Sequence, residues 1–230
     1  TFCRGWGTLP FDRSGADITA HVLRAWSAWL PQWDDTLRKR VSRAMQRGIV
    51  FLQKQQRADG TWAPLWFGNQ YVENEENLTW GTARVVLALR ELHYRGFALP
   101  PEILQRGEEA LARLQQSDGG WSGSSGDGLP SSVEETGVAI EALAGTTHVA
   151  VVERGVQWLV QSVEDGTWSQ SSPVGFYFAK LWYYERLYPQ LTTVAALGSV
   201  LQGIAAWADG PDEGAATKEL IAPLKPWSLF

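Results

Sequence analysis

An acidic and a basic side chain lie four residues apart near the start of the chain, at Asp17 and His21. Residues with this spacing share one face of an α-helix, so the carboxylate can orient the imidazole for proton transfer. The structural alternative is an aspartate near a helix start and a histidine whose ring is satisfied in the core. The two residues by themselves leave both interpretations open.

Other reactive chemistry is sparse. Cys3 is the single cysteine, so no internal disulfide can form, and the three histidines lie too far apart for a zinc-ligand pattern. We therefore expect no metal and no soluble cofactor. Acidic residues outnumber basic ones, 25 against 20, and the basic residues are scattered. This charge distribution lacks the positive patch of a nucleic-acid-binding protein, so we expect no nucleic-acid partner.

The apolar residues do not form a membrane span. The closest approach, residues 194–208, is interrupted by Gln202 and two glycines, whereas a spanning helix needs about 20 predominantly apolar residues. Residues 1–6 are neither basic nor followed by an apolar segment, so they do not read as a signal peptide. Peripheral contact with a membrane face remains compatible with this sequence.

Three repeats organise the chain, at residues 47–62, 106–121 and 154–168. Each has Arg-Gly, an apolar pair ending in Leu, a glutamine and an Asp-Gly-x-Trp turn. The apolar residues have helical spacing, and Asp-Gly ends the helix because glycine accepts the left-handed conformation. We expect Trp62, Trp121 and Trp168 to pack on helices, and Gln56 and Gln115 to bond backbone groups at a neighbouring helix end.

A second class of helix, rich in small apolar residues, lies between the repeats. Apolar helices should be buried and amphipathic ones should face water, so the two classes predict an inner and an outer layer of an all-α protein. Inner helices are predicted near 17–30, 78–93, 131–145 and 174–188, and outer helices near 36–57, 101–117, 149–163 and 190–208. Long loops are predicted at 63–78 and 122–132, and an irregular tail at 209–230.

Three segments together resemble the squalene-hopene cyclase family of triterpene cyclases. They are the Gln/Trp repeats, known in that family as QW motifs, the Asp-Ile-Thr-Ala-His segment at 17–21, and the aromatic stretch at 173–184. The resemblance covers about residues 1–208. It implies part of an α/α toroid, about four of six helical hairpins, and a polyene substrate such as squalene. It also implies peripheral attachment to the cytoplasmic face of a membrane, or a cytoplasmic location.

The acid motif of that family, Asp-x-Asp-Asp, is absent from this sequence. Trp33-Asp34-Asp35-Thr36 has only two adjacent aspartates and follows the His21 helix, so we interpret it as a helix cap. In the family the motif precedes the segment that matches 17–21, so it would fall upstream of Thr1. The resemblance therefore implies the C-terminal portion of a longer cyclase, partnered by a missing N-terminal half. We expect this chain alone not to cyclise squalene.

The resemblance also implies roles for individual residues. His21 would hydrogen-bond the proton-donating aspartate of the missing part, and Asp17 would support His21 from behind. Aromatic rings stabilise cations on their faces, and the residues matching cavity aromatics of the family are Trp66, Trp80, Phe176, Tyr177 and Tyr184. For each of these rings, ordinary core packing is the open alternative.

Two departures from the family concern the product. Lys180 and Leu181 stand in the turn where hopene-forming relatives have a tyrosine, and the insertion at 69–77 carries Glu73, Glu75 and Glu76. A charged amine that faces the cavity would repel a carbocation. The polycyclic product, or the substrate itself, is therefore expected to differ from that of the hopene-forming relatives.

Three other classes of protein are compatible with parts of the pattern. A protein prenyltransferase β-subunit needs an Asp, Cys and His zinc site that Cys3 alone cannot build. A glycoside hydrolase needs two cavity carboxylates, and Glu134, Glu135 and Glu141 are better explained as a helix start and a polar face. A non-catalytic QW-repeat protein that binds a polyprenyl lipid or a partner helix remains the main alternative.

Overall fold

The computed structural model describes residues 14–126, 128–176 and 181–208. The predicted tail at 209–230, Cys3, Tyr177 and Lys180 lie outside the described residues. Seven α-helices and one strand pair make up the described part, in addition to two short 3-10 helices. The helices are α1 (Ala16–Trp29), α2 (Asp35–Gln55), α3 (Leu78–Tyr94), α4 (Ile103–Arg113), α5 (Val133–Leu143), α6 (Val149–Glu164) and α7 (Leu187–Ala208), and the strands are β1 (Val174–Phe176) and β2 (Leu181–Tyr183).

The helices form two layers, which confirms the predicted fold class of a partial α/α toroid. The inner helices α1, α3, α5 and α7 pack side by side in that order, and α2, α4 and α6 each pack behind the inner helix that precedes it. The prediction of an outer helix near 190–208 is therefore wrong, because α7 covers these residues and packs on α5 as an inner helix. Every residue of α5 is buried. In contrast, α2 buries only Val41, Met45, Ile49 and Leu52, which share one face. Among the described helices, none is long and apolar enough to cross a bilayer.

Side-chain caps fix where several helices begin. The Asp34 side chain accepts hydrogen bonds from the backbone N–H groups of Thr36 and Leu37, at 2.9 and 3.0 Å. This confirms that the Trp-Asp-Asp-Thr segment is a helix cap. Asn77 caps α3 in the same manner through the backbone N–H of Trp80. These caps satisfy N–H groups that have no partner within the helix.

The prediction of a helix at 174–188 is wrong. This segment begins with an antiparallel strand pair in which Val174 is opposite Tyr183 and Phe176 is opposite Leu181. A Cβ atom on Gly175 would lie 1.9 Å from the carbonyl oxygen of Leu181, so glycine is required for the strands to approach. Aromatic and β-branched residues pack well on a sheet, and here this preference outweighs the apparent helical pattern.

The repeat residues connect successive hairpins as predicted. The Gln56 side chain donates to the carbonyl oxygens of Gly60, in its own turn, and Ile103, at the start of α4. Gln115 repeats this arrangement with the carbonyls of Gly119 and Val151, both at 2.8 Å. In the shorter third repeat, Gln161 bonds Asp165 instead. The first two glutamines therefore join each hairpin to the next one.

The repeat tryptophans fill the space between the layers. Trp62 and Trp121 are fully buried, and their indole N–H groups donate to the carbonyls of Leu52 and Leu111. Each ring lies against a glycine of the next outer helix, Gly107 for Trp62 and Gly155 for Trp121. The packing predicted from the repeats is thus confirmed for these two. Trp168 is only half-buried.

Replacing Gly60 with alanine is expected to destabilise the protein by about 3 kcal/mol. Gly60 has φ of +88°, and a Cβ atom there would lie 2.5 Å from the carbonyl oxygen of Arg106. Gly166 is the matched control, because it has φ of +75° in the equivalent turn but no atom from the described part of the chain within 4 Å of the Cβ position. Gly166→Ala should therefore cost only the backbone strain, about 1 kcal/mol. Urea unfolding of both variants measures the difference, and equal losses would contradict the packing argument.

Candidate functional site

Asp17 is buried at the N-terminal end of α1, with 4% of its surface exposed. Its carboxylate accepts a hydrogen bond of 3.4 Å from the backbone N–H of Leu65, which precedes Trp66 in the long loop. Burial raises the pKa of the Asp17 carboxyl, and the backbone N–H groups of Ile18 and Leu65 act in the opposite direction. Asp17 thus ties α1 to the loop that carries Trp66.

His21 lies one turn after Asp17 but is exposed to solvent. The hydrogen bond of Asp17 goes to the Leu65 backbone, and none to His21 occurs in the part of the chain that the structure describes. His21 shares its side of α1 with two exposed apolar residues, Ile18 at 48% and Trp29 at 61%. The imidazole therefore stands on an open, partly apolar helix face.

Aromatic rings from three elements meet beside the strand pair. The Trp80 ring on α3 lies 5.0 Å from that of Phe67 in the long loop and 6.3 Å from that of Tyr188 on α7, between ring centroids. The backbone N–H of Gly68 donates to the carbonyl of Gly175 in β1, at 2.9 Å. These contacts bring the long loop, α3, the strand pair and α7 to one place.

The other predicted cavity residues lie on the long loop, in β1, after β2 or outside the described part. Trp66 is half-buried in the same loop as Phe67. Phe176 belongs to β1, opposite Leu181. Tyr184 follows β2 and is 66% exposed. Tyr177 is outside the described residues, so its assignment stays a prediction, as do those of the other residues.

Two buried carboxyl groups stand at the start of α5. Glu134 and Glu135 are each 1% exposed, and Glu141 is 8% exposed. The helix start is as predicted, but the predicted polar face is wrong, because α3, α6 and α7 pack around α5 and bury all of its residues. Within the described ranges, no group of three or more His, Cys, Asp or Glu side chains is placed to hold a metal ion.

The two carboxyl groups differ in their partners. Glu135 accepts hydrogen bonds from the side-chain amides of Asn69 and Asn77, at 3.1 and 2.7 Å, and from the hydroxyl of Ser132. These bonds fix both ends of the 69–77 insertion. Glu134 accepts from the backbone N–H of Ser172 through Oε1 at 2.8 Å, while its buried Oε2 has no hydrogen-bond partner among the residues that the structure describes. Burial, reinforced by the Glu135 carboxyl, raises the pKa of Glu134 to about 7.

Comparison with protein families gives a match to the squalene-hopene cyclase C-terminal domain over residues 7–202. The chain belongs to this family. The match includes the Asp17 and His21 segment, all three repeats, the strand pair and most of α7. The aromatic cluster and the buried carboxyl groups described above therefore lie inside a squalene-hopene cyclase C-terminal domain.

Curated relatives of this cyclase domain come from bacteria and a fungus. The chain is 25% identical over 205 residues to the squalene-hopene cyclase of Bradyrhizobium diazoefficiens, a match that covers 79% of this chain and 28% of the relative. It is 28% identical over 191 residues to the enfumafungin synthase of Hormonema carpetanum, covering 74% and 13%. The chain thus spans less than a third of the length of these relatives.

A solved structure agrees with the cyclase fold. The ent-copalyl diphosphate synthase from Streptomyces platensis superimposes with a TM-score of 0.59 and 20% sequence identity, over 82% of this chain and 34% of that one. At this identity the similarity shows the fold alone. It supports the two-layered arrangement of inner and outer helices.

Sequence reasoning did not single out Phe67, Tyr188 or Arg84 as site residues of this cyclase domain. Arg84 lies one helical turn after Trp80, and its guanidinium carbon is 4.6 Å from the centroid of the Trp80 ring. The spacing of four residues on a predicted helix was the available signal for this pair. Phe67 and Tyr188 join the cluster only through the tertiary packing of the loop and α7.

Proposed function

We propose that this chain is the C-terminal part of a class II triterpene cyclase that acts on a squalene-like polyene. The observation that carries the proposal is the family match over residues 7–202. In such a reaction, an acid adds a proton to a terminal double bond, and successive carbon–carbon bonds form as the cation moves along the chain. Loss of a proton ends the reaction, so the product is an isomer of the substrate.

The acid is proposed to come from a part of the protein outside this chain. The exposed position of His21 on α1 supports this proposal, because an imidazole there is free to hydrogen-bond a carboxyl group from a neighbouring element. Ile18 and Trp29 provide apolar surface beside it for such an element to cover. Asp17 supports the site by holding the loop that contains Trp66 against α1.

The third repeat supports the proposal of further helices from the same protein. Gly60 and Gly119 lie against the backbone of Arg106 and Arg154, which belong to the next outer helix in each case. The equivalent Gly166 has no atom of the described residues within 4 Å of its Cβ position. We propose that another outer helix packs on this turn in the complete protein. Peripheral contact of that protein with the cytoplasmic face of a membrane, from which it would take its lipid substrate, is part of the same proposal.

Incubation of the complete protein with squalene, followed by mass spectrometry of the products, tests the proposed activity. We expect polycyclic isomers of squalene from the wild-type protein and a loss of activity of at least about 100-fold in His21→Ala, because a positioned proton-transfer group contributes about this much. His93→Ala is the control, since His93 is exposed near the end of α3 and outside the site. Retained activity in His21→Ala would refute the assigned role. Binding of squalene without any product would instead support the non-catalytic alternative.

A further inference from the structure

The face of the Trp80 ring is already occupied by a cation that belongs to the protein. Arg84 lies one turn further along α3, with its guanidinium carbon 4.6 Å from the ring centroid. At this distance a guanidinium is attracted by the negative face of an indole ring. With Phe67 and Tyr188 packed nearby, Trp80 is only 7% exposed.

Charged groups from two other inner helices hold Arg84 in this position. A carboxylate oxygen of Glu141, on α5, lies 3.8 Å from the guanidinium. From α1, the charge of Asp17 attracts the guanidinium and that of Arg24 repels it. The Arg84 side chain remains 32% exposed. It is therefore anchored among α1, α3 and α5 while part of its surface is still accessible.

We propose that Arg84 is a specificity-determining residue of the cyclase, which covers Trp80 and keeps positively charged carbon away from this part of the inner wall. This inference rests on the proposed function, in which carbocations form inside the domain. A cationic centre near Trp80 meets an occupied ring face and the like charge of the guanidinium. The cationic centres of the reaction therefore form in parts of the substrate cavity that are distant from Arg84.

A binding experiment with a stable cation tests this inference without requiring turnover. The probe is decyltrimethylammonium below its micellar concentration, and its affinity for the complete protein is measured by isothermal titration calorimetry. Arg84→Leu is expected to bind the probe at least about fivefold more tightly than wild type, because the ring face becomes available. The double variant Arg84→Leu, Trp80→Leu should lose this gain.

Two controls separate the ring face from general effects of charge and space. Arg24→Leu removes one positive charge from the same region, but Arg24 pairs with Glu91 and does not cover Trp80. It should therefore give a smaller gain than Arg84→Leu. Decanol is the uncharged probe of similar length, and the affinity of Arg84→Leu for decanol should exceed that of the wild type by less than twofold. Arg84→Gln serves as the second variant if circular dichroism shows that Arg84→Leu is misfolded.

Equal gains in Arg24→Leu and Arg84→Leu, or equal gains for the cationic and uncharged probes, would refute the inference. No gain in either Arg84 variant would refute it as well. The cation-binding experiment and the squalene assay can fail independently of each other. A tighter cation site in a protein that forms no cyclised product would refute the proposed function and leave the covering of Trp80 by Arg84 established.

Discussion

Replacing Trp121 with alanine is expected to lower the free energy of unfolding by about 3–5 kcal/mol. The Trp121 side chain is fully buried, its ring lies against Gly155, and its indole N–H donates to the carbonyl of Leu111 at 2.9 Å. Truncation leaves a cavity between the two helix layers and removes the indole hydrogen bond to the Leu111 carbonyl, which then keeps the backbone N–H of Leu114 as a donor. Urea unfolding followed by circular dichroism measures the loss.

Trp168→Ala is the matched control for this experiment. Trp168 occupies the same position in the third repeat but is only half-buried. We expect its replacement to cost less than about 1.5 kcal/mol, because less apolar surface is lost from the interior. Trp121→Phe should fall between the two, since it keeps a ring while removing the N–H donor. Equal costs for Trp121→Ala and Trp168→Ala would contradict the proposed difference in packing.

Replacing Glu134 with glutamine is expected to stabilise the protein at pH 8 and to change little at pH 5. Burial, together with the neighbouring Glu135, raises the pKa of Glu134 from 4.5 to about 7. Between these values the folded state holds a proton that the unfolded state has released, so the stability of the wild type falls as the pH rises. Above pH 7 the buried carboxylate costs up to about 3 kcal/mol, at about 1.4 kcal/mol for each unit of pKa.

The measurement is the free energy of unfolding at pH 5 and pH 8 for the wild type and Glu134→Gln. Glutamine keeps an oxygen to accept the Ser172 N–H but carries no charge to desolvate. We expect the variant to gain about 1–3 kcal/mol at pH 8 relative to wild type. Glu135→Gln is the control. Burial raises the pKa of Glu135 as well, but its carboxylate accepts hydrogen bonds from Asn69, Asn77 and Ser132 that glutamine would weaken. That variant should therefore gain less at pH 8, and an equal gain in both variants would contradict the argument that these hydrogen bonds distinguish the two carboxyl groups.

The spacing of the three repeats along the sequence was sufficient to predict the approximate positions of most of the helices. The Gln/Trp repeats predicted the ends of α2 and α6, how Gln56 and Gln115 connect the hairpins, and that Trp62 and Trp121 are buried, whereas α4 ends at Arg113, before the predicted residue 117. Asp34 was recognised as a cap from its position before an amphipathic segment. The cap depends on residues only two or three positions apart, and the repeat contacts recur with the same spacing along the chain. Both can therefore be predicted from sequence patterns.

The segment at 174–188 shows where sequence reasoning failed. Its aromatic and small residues are compatible with either a buried helix or a strand, since periodicity alone does not separate the two over short runs. The pairing of Gly175 with Trp182, and the hydrogen bond from Gly68 to Gly175, select the strand pair. Both are contacts between residues that are distant in sequence or depend on a particular register.

The sequence by itself determined the family, most of the two helix layers and the contacts of the repeat residues Gln56 and Gln115. Only the tertiary structure decided that Asp17 bonds the Leu65 backbone, that Arg84 covers Trp80, and that Glu134 is buried beside Glu135. The physical reason is that burial and charge pairing depend on which helices meet. A sequence specifies the type of each residue, whereas its electrostatic environment and its exposure to solvent depend on neighbours from other helices and loops.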